Sequence, residues 1–352
     1  MVDIKVGLVG FGSAGQTFHA PIINAVPHLT LTKVVERHRQ AARDRYPWVE
    51  VVRSVEELFA DPAIGLVVIA TPNASHFALT QQALLAGKHV VVDKPFTATS
   101  EQAQQLVDLA QQQQRILSVH HNRRWDGDFL TVKQVIESNV LGRLVEYEAH
   151  YDRFRNFIRP GAWKEKQGEG SGLLFDLGSH LIDQAQVLFG FPKSVTADIR
   201  VQREGGEAAD YFEVVFDYGS IRAILRAGML VRELGPHFIL HGSEGSFIKY
   251  GMDPQEDALK HGLTPKEPDW GLESQTQWGT LNTETCGLHF IGKVETVRGC
   301  YQAYYQNVYD AIAHGTPLAV TPESARDTIR LIELAMQSST DKRTIVCSKA
   351  LA

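Results

Sequence analysis

Gly10, Gly12 and Gly15, in the run Gly10-Phe11-Gly12-Ser13-Ala14-Gly15, stand at the spacing that cradles a pyrophosphate. The first glycine permits a tight turn and the second lets backbone come close to the anion. The third lets a helix pack against the preceding strand. Here the loop follows the apolar run Ile4–Val9 and opens a helix-like stretch from Ser13, whose unpaired N–H groups can hold an anion. An acidic residue about 20 positions on would take up ribose hydroxyls. Glu36, closing Lys33-Val34-Val35, meets that demand. The same spacing also occurs in turns that bind nothing, so the strand and helix around it are what favour a dinucleotide. Pro21 falls in the second turn of that helix and predicts a split or restart there.

Two further groups can do chemistry. Lys94 lies just past the apolar run Val90–Val92, and Pro95 holds it extended. A lysine fixed beside a nicotinamide can orient or polarise a hydroxyl or carbonyl; the alternative is a solvated lysine at a strand end. In the helical stretch Phe175–Phe189, Asp176, His180 and Asp183 fall at offsets 0, 4 and 7, on one stripe. Leu177, Leu181, Ala185 and Leu188 form the adjacent apolar stripe. The first stripe presents an imidazole between carboxylates, suited to exchanging a proton with an alcohol near neutral pH. A metal-binding face and a plain solvated face compete with that reading, though the first lacks a third ligand cluster, and no metal is expected.

Positioning these groups falls to two kinds of sheet. Val- and Ile-rich runs at Ile4–Val9, Leu29–Val35, Val49–Val52, Leu66–Ala70, His89–Val92 and Ile116–Val119 lack in/out alternation, as strands buried on both faces do. Helical stretches separate them, chiefly His76–Ala86 and Ser100–Gln113, the latter opened by a capping box at Thr99 and Gln102. This pattern predicts a doubly wound parallel sheet. Thr71-Pro72-Asn73 and Asp93-Lys94-Pro95 then fall at carboxyl ends of strands, where open α/β sheets bind ligands. Beyond residue 122 the runs alternate, at Leu144–Tyr151, Val195–Val201, Tyr211–Phe216, Ile221–Leu230, Phe238–His241 and Ser246–Tyr250. Hairpin material at Tyr218-Gly219-Ser220 and Gly242–Gly245 lies among them. A mainly antiparallel sheet follows, with Gly251–Leu281 as a long surface excursion. Two helices close the chain, around Tyr301–Ala313 and Pro322–Ser338. The expected domains are 1–121, binding the dinucleotide, and 122–352, binding substrate and joining subunits.

Composition agrees with this plan. At 352 residues two domains are favoured. A net charge of −6 with no basic run argues against nucleic acid as a partner. Three cysteines, Cys286, Cys300 and Cys347, cannot all pair and form no CxxC, which points to a reducing, cytoplasmic setting. No apolar stretch approaches the ~20 residues of a membrane span, and no signal peptide is evident.

Taken together, Gly10–Gly15, Thr71-Pro72-Asn73, Asp93-Lys94-Pro95, Asn122-Arg123-Arg124 and the Asp176/His180 pair resemble the Gfo/Idh/MocA oxidoreductases over almost the whole chain. The family usually carries Glu where this chain has Asp93. Further runs, His121–Asp126, His180–Gln184 and Gly245–Gly251, are similar to the branch that includes NADP-dependent scyllo-inositol dehydrogenases. The resemblance implies an N-terminal Rossmann domain, a C-terminal α/β domain with a large antiparallel sheet, and hydride transfer between nicotinamide and a sugar or cyclitol. It implies that Lys94 and His180 are catalytic and that Asp176 and Arg123 contact substrate. We expect the cofactor to be lined by Gly10, Phe11, Gly12, Ser13, Ala14, Gly15, Glu36, Arg37, Thr71, Pro72, Asn73, His76, Asp93, Lys94 and Asn122. Asp176 orients a neighbouring hydroxyl during catalysis. Glu36 leans the choice toward NAD, while Arg37 and Arg39 keep NADP open. A homodimer or homotetramer is expected, paired through the exposed sheet face. The rival readings are a glycoside hydrolase that retains its NAD and a non-catalytic NAD(P)-binding regulator.

Overall fold

The computed structural model describes residues 2–159, 161, 165–285 and 287–349. Cys286 and residues 160 and 162–164 lie outside the described residues. Chain contacts define two compact units. The first comprises Met1–Trp125, Pro254–Gly271 and Cys300–Arg326, and the second Asp126–Asp253, Leu272–Gly299 and Asp327–Ala352.

In the first unit six strands pair in parallel: β1 (Ile4–Val9), β2 (Leu29–Val35), β3 (Glu50–Val52), β4 (Ile64–Ile69), β5 (His89–Val92) and β6 (Leu117–Val119). Their order, β3-β2-β1-β4-β5-β6, is the doubly wound arrangement the sequence predicts. Val6, Leu8, Leu66, Val67, Val90 and Val91 are all fully buried, so successive residues point into two covered faces. The helix Ser100–Gln112 starts as expected, with the Thr99 hydroxyl accepting from the Gln102 N–H at 3.2 Å. The helix Gln302–His314 also belongs to this unit, and its Tyr304 and Tyr305 are wholly buried.

The second unit holds nine strands: β7 (Leu144–His150), β8 (Ser194–Arg200), β9 (Tyr211–Asp217), β10 (Arg222–Gly228), β11 (Phe238–Gly242), β12 (Gly245–Lys249), β13 (Gly279–Thr285), β14 (Leu288–Val294) and β15 (Ile345–Val346). The order is β14-β13-β12-β11-β7-β10-β9-β8-β15, antiparallel except where β7 meets β10. One face carries Tyr147, Phe212, Val214, Phe216, Leu225, Phe238 and Phe247, all fully buried. The helix Ser179–Phe189 packs on β10. The surface excursion expected over Gly251–Leu281 is shorter than predicted: it contains the helix Gln255–Lys260 and runs into the hairpin β13–β14. The hairpin escaped notice because the buried stripe of β13, Gly279, Leu281 and Thr283, has one large apolar residue, and β14 is exposed along most of its length.

Candidate functional site

At the glycine loop each position has a distinct physical reason. Gly10 sits at φ +97°, where a Cβ would press on the Ala70 carbonyl at 2.8 Å. A Cβ on Gly15 would meet the Gly10 carbonyl oxygen at 2.3 Å, so helix and loop close only without a side chain. Around Gly12, by contrast, a Cβ would meet nothing within 4 Å. Backbone is therefore tight on the protein side and open at the middle glycine, which is the arrangement a pyrophosphate needs. The helix after it begins as a π-turn, Gly15–His19, and continues as Ala20–Ile23 with Pro21 in its first turn. The split predicted from Pro21 is present. Glu36 directly follows β2, is 7% exposed, and its Oε2 accepts from the Ala42 N–H at 2.9 Å; Arg37 beside it is exposed.

Thr71-Pro72-Asn73 follows β4, with the Thr71 and Ser75 hydroxyls 2.7 Å apart. His76 is fully buried, and its ring nitrogens contact the carbonyl oxygens of Pro95 (2.8 Å) and Thr71 (2.9 Å). It ties together the loops after β4 and β5, so its ring serves the loops that were expected to share a ligand with it.

Asp93 and Lys94 leave β5 ahead of a cis Lys94–Pro95 peptide. The Asp93 Oδ1 accepts the Lys94 N–H at 2.9 Å. Two imidazoles face that same oxygen: His19 Nε2 at 3.7 Å and His120 Nδ1 at 3.8 Å. Burial would raise the Asp93 carboxyl, but His120 and His19 outweigh it and hold Asp93 well below the usual carboxylate range. Burial, helped by the His19 ring, presses His120 down to about 4 against the pull of Asp93. Tyr305 stands 2.6 Å from His19 Nδ1, and burial keeps its phenol protonated. Tyr305 thus holds His19 through Nδ1 and leaves Nε2 facing Asp93. The lysine backbone is thus fixed by a carboxylate that two buried histidines hold ionised.

Sequence reasoning named Asp93 but missed His19, His120 and Tyr305. The missed signal is topological: Asp93 and His120 leave the carboxyl ends of adjacent strands, β5 and β6. One ligand-type atom from each of His19, Asp93 and His120 lies within 4.8 Å of the others, a cluster where no metal was expected. The two rings pack 4.3 Å apart at a 41° tilt, a contact of imidazole faces.

Arg123 was expected to touch substrate. It is buried beside the 3₁₀ turn that starts at Asn122, itself buried, and pairs with Glu256 of the helix Gln255–Lys260. Burial would raise Glu256, yet Arg123 and Lys260 draw it down to about 2. The guanidinium is engaged in an internal ion pair, a partnership across 133 residues that no local pattern announces.

In the second unit the predicted helix Phe175–Phe189 is in fact a π-turn, Leu174–Gly178, followed by Ser179–Phe189 as α-helix. The wider turn breaks the α-helical stripe that was to align Asp176 with His180 and Asp183. Nor does the helix present a solvated face: His180 is 5% exposed and Asp183 2%, while Asp176 is half-buried. A solvated reading of His180 and Asp183 therefore fails. Gly178 explains part of the turn, since a Cβ there would meet Leu174 at 2.7 Å and the Phe212 ring at 3.2 Å.

Residues 4–121 match the NAD-binding Rossmann-fold domain of an oxidoreductase family, and residues 133–347 match that family's C-terminal alpha/beta domain. The chain is 42% identical over 343 residues to scyllo-inositol 2-dehydrogenase (NADP(+)) IolW of Bacillus subtilis, covering 97% of this chain and 96% of that one. It is 43% identical to the uncharacterized oxidoreductase YdgJ of Escherichia coli, covering 97% and 98%. Among solved structures, the oxidoreductase yvaA from Bacillus subtilis superimposes with a TM-score of 0.95 at 41% identity over 99% of both chains.

Proposed function

The chain belongs to the Gfo/Idh/MocA family of oxidoreductases, and from that premise we propose that it moves a hydride reversibly between nicotinamide and a secondary alcohol of a polyol or sugar. The observation that carries this reading is the Asp93–Lys94 element, a lysine whose backbone is locked by an ionised carboxylate at the carboxyl end of β5. When bound, NAD(P) supplies the hydride donor or acceptor. The glycine loop would hold its pyrophosphate through backbone N–H groups, and Glu36 its adenosine ribose. Phe11, Thr71, Pro72, Asn73 and Asn122 belong to the same proposed lining. We assign His180 the proton of the reacting hydroxyl, Lys94 a hydrogen bond at that oxygen, and Asp176 a neighbouring hydroxyl.

NAD is the proposed cofactor, because a carboxylate at the end of β2 accepts ribose hydroxyls and repels a 2′-phosphate. A kcat/KM at least about tenfold higher with NADP would reverse that choice, and exposed Arg37 would then be the phosphate clamp. The test is a panel of cyclitols and aldoses with each cofactor, followed by NAD(P)H absorbance. Reduction of cofactor in step with substrate consumption supports the reading. Turnover that continues without added cofactor indicates the NAD-retaining hydrolase, and cofactor binding without turnover on any substrate indicates a regulator.

The chain is further proposed to work as a homodimer or homotetramer. On β10, Arg222, Ile224 and Arg226 form the partly exposed face opposite buried Ala223, Leu225 and Ala227. The edge strand β14 adds Leu288, Phe290 and Ile291, which are 71%, 47% and 61% exposed. An apolar sheet edge left open invites pairing, and a second copy would cover it.

A further inference from the structure

The second unit contains a cavity of about 180 Å³ whose wall gathers Arg153, Arg155, Arg159 and Arg203 around Asp176. That is room for several waters, enough for a carboxylate or phosphate group. The arginines are not a random surface cluster. Residues 151–155 run alongside the end of β10, with the Tyr151, Arg153 and Arg155 N–H groups donating to the carbonyls of Arg226, Gly228 and Met229 at 2.9, 2.9 and 2.7 Å. This extended pairing puts Arg153 and Arg155 on one side of the segment. Across the cavity, Leu173 donates to the Ala209 carbonyl at 2.7 Å, fixing the entry to the π-turn that carries Asp176.

The charges do not balance within this wall. Arg203 is already held by two carboxylates, Glu165 at 2.6 Å and Asp210 at 2.7 Å. Among the described residues no carboxylate forms an ion pair with Arg153, Arg155 or Arg159. Arg153 and Arg159 both repel the charge on Arg155, which burial disfavours as well, and Asp176 and Glu165 offset this only in part. Set against Glu165, Asp176 and Asp210, the four arginines leave this wall one net positive charge, which an anion would neutralise.

We propose that the substrate is a polyhydroxy compound bearing an oxyanion, carboxylate or phosphate, which Arg153, Arg155 and Arg159 hold beside Asp176. This rests on the oxidoreductase reading above and narrows its substrate class. Guanidinium forks suit both oxyanions, because each offers paired acceptors for parallel N–H bonds. Asp176 then holds a hydroxyll-bearing carbon next to the anion, and a neutral sugar leaves the arginines unpaired.

The test compares matched substrates, glucuronate against glucose and glucose 6-phosphate against glucose, with both cofactors. The acidic member of one pair should have a kcat/KM about tenfold or more above glucose, and that ratio should collapse in Arg155→Met. Which pair shows the preference distinguishes carboxylate from phosphate. Oxidation of glucose with no acidic preference would overturn the proposal. Calorimetric titration with inorganic phosphate, without substrate or cofactor, decides the matter independently of turnover. Binding that weakens at least about tenfold in both Arg155→Met and Arg153→Met supports the site. Absent binding, or equal binding by wild type and variants of unchanged melting temperature, would overturn it. Arginine-dependent phosphate binding in a protein that oxidises no sugar at all would sink the oxidoreductase reading and leave the anion site standing.

Discussion

Acid should weaken the first unit through His120, because its burial disfavours the charged ring. In the folded chain its imidazole titrates at about 4, mainly because burial disfavours the charged ring, whereas an unfolded histidine titrates near 6.5. Between those values the unfolded state binds the extra proton and the folded state does not, so stability falls as pH drops from 6.5 toward 4. At ~1.4 kcal/mol for each factor of ten, the full loss is about 3 kcal/mol, a large share of the ~5–15 kcal/mol that holds a domain together. Asp93 works in a different window. Its folded carboxyl lies below the usual range, so its contribution is complete above the unfolded value near 3.9 and is lost only in stronger acid. His150 in the second unit opposes the trend: Asp152 and Glu148 outweigh burial and raise it, so its contribution is present at low pH and lost as pH rises. The assay must therefore isolate the first unit. Hydrogen exchange of β5 and β6 amides, measured in urea at pH 7 and pH 4.5, should show most of this loss in wild type. His120→Gln, which cannot titrate, should show a pH dependence smaller by about 2–3 kcal/mol. Equal pH dependence in the two proteins would refute the account of a neutral imidazole buried against Asp93.

Three further outcomes follow from the same arrangement. His180→Ala should lower kcat by about 10²–10⁴-fold with cofactor affinity unchanged in a fluorescence titration, and Lys94→Met by a similar factor. The double variant should lose much less than the product of the single losses, while retention of more than about a tenth of kcat in His180→Ala would remove that residue from proton transfer. Gly15→Ala places a methyl against the Gly10 carbonyl oxygen, so it should abolish NAD(P)H binding even where circular dichroism shows a folded chain. Light scattering at micromolar concentration should give a mass of two or four chains, and a value near 39.1 kDa would count against the exposed β14 edge as a subunit contact.

What could be read in advance divides along a physical line. The parallel strands of the first unit were legible because burial on both faces forces unbroken runs such as Leu66–Ile69, and the Gly10–Gly15 loop because backbone geometry admits only glycine at two of its positions. The hairpin β13–β14 was illegible because β14 is mostly exposed and the buried positions of β13 carry Gly279 and Thr283 beside Leu281, so no apolar alternation is written into the sequence. Long-range partnerships were hidden for another reason. His19, Asp93 and His120 meet only once the strand order is known, and Arg123 finds Glu256 only after the chain has returned to the first unit.

The two π-turns show how such hidden features bear on function. The second interrupts a helix that sequence periodicity reads as regular, and each carries a residue of the candidate site: His19 in Gly15–His19, and Asp176 in Leu174–Gly178. A π-turn forgoes regular helical hydrogen bonding, so it persists where packing or a side chain's position compensates. At the first, Gly15 lets the helix close on Gly10, and the turn delivers His19 between Tyr305 and Asp93. At the second, Gly178 lets the turn sit against Phe212, and the turn delivers Asp176 into the arginine-lined cavity. A search for carboxylate and imidazole at i, i+4 assumes an α-helix and finds the pair Asp176/His180 for the wrong geometric reason. The chain places these two residues by inserting a wider turn between them, so that His180 stays on a helix packed over the sheet while Asp176 reaches the cavity.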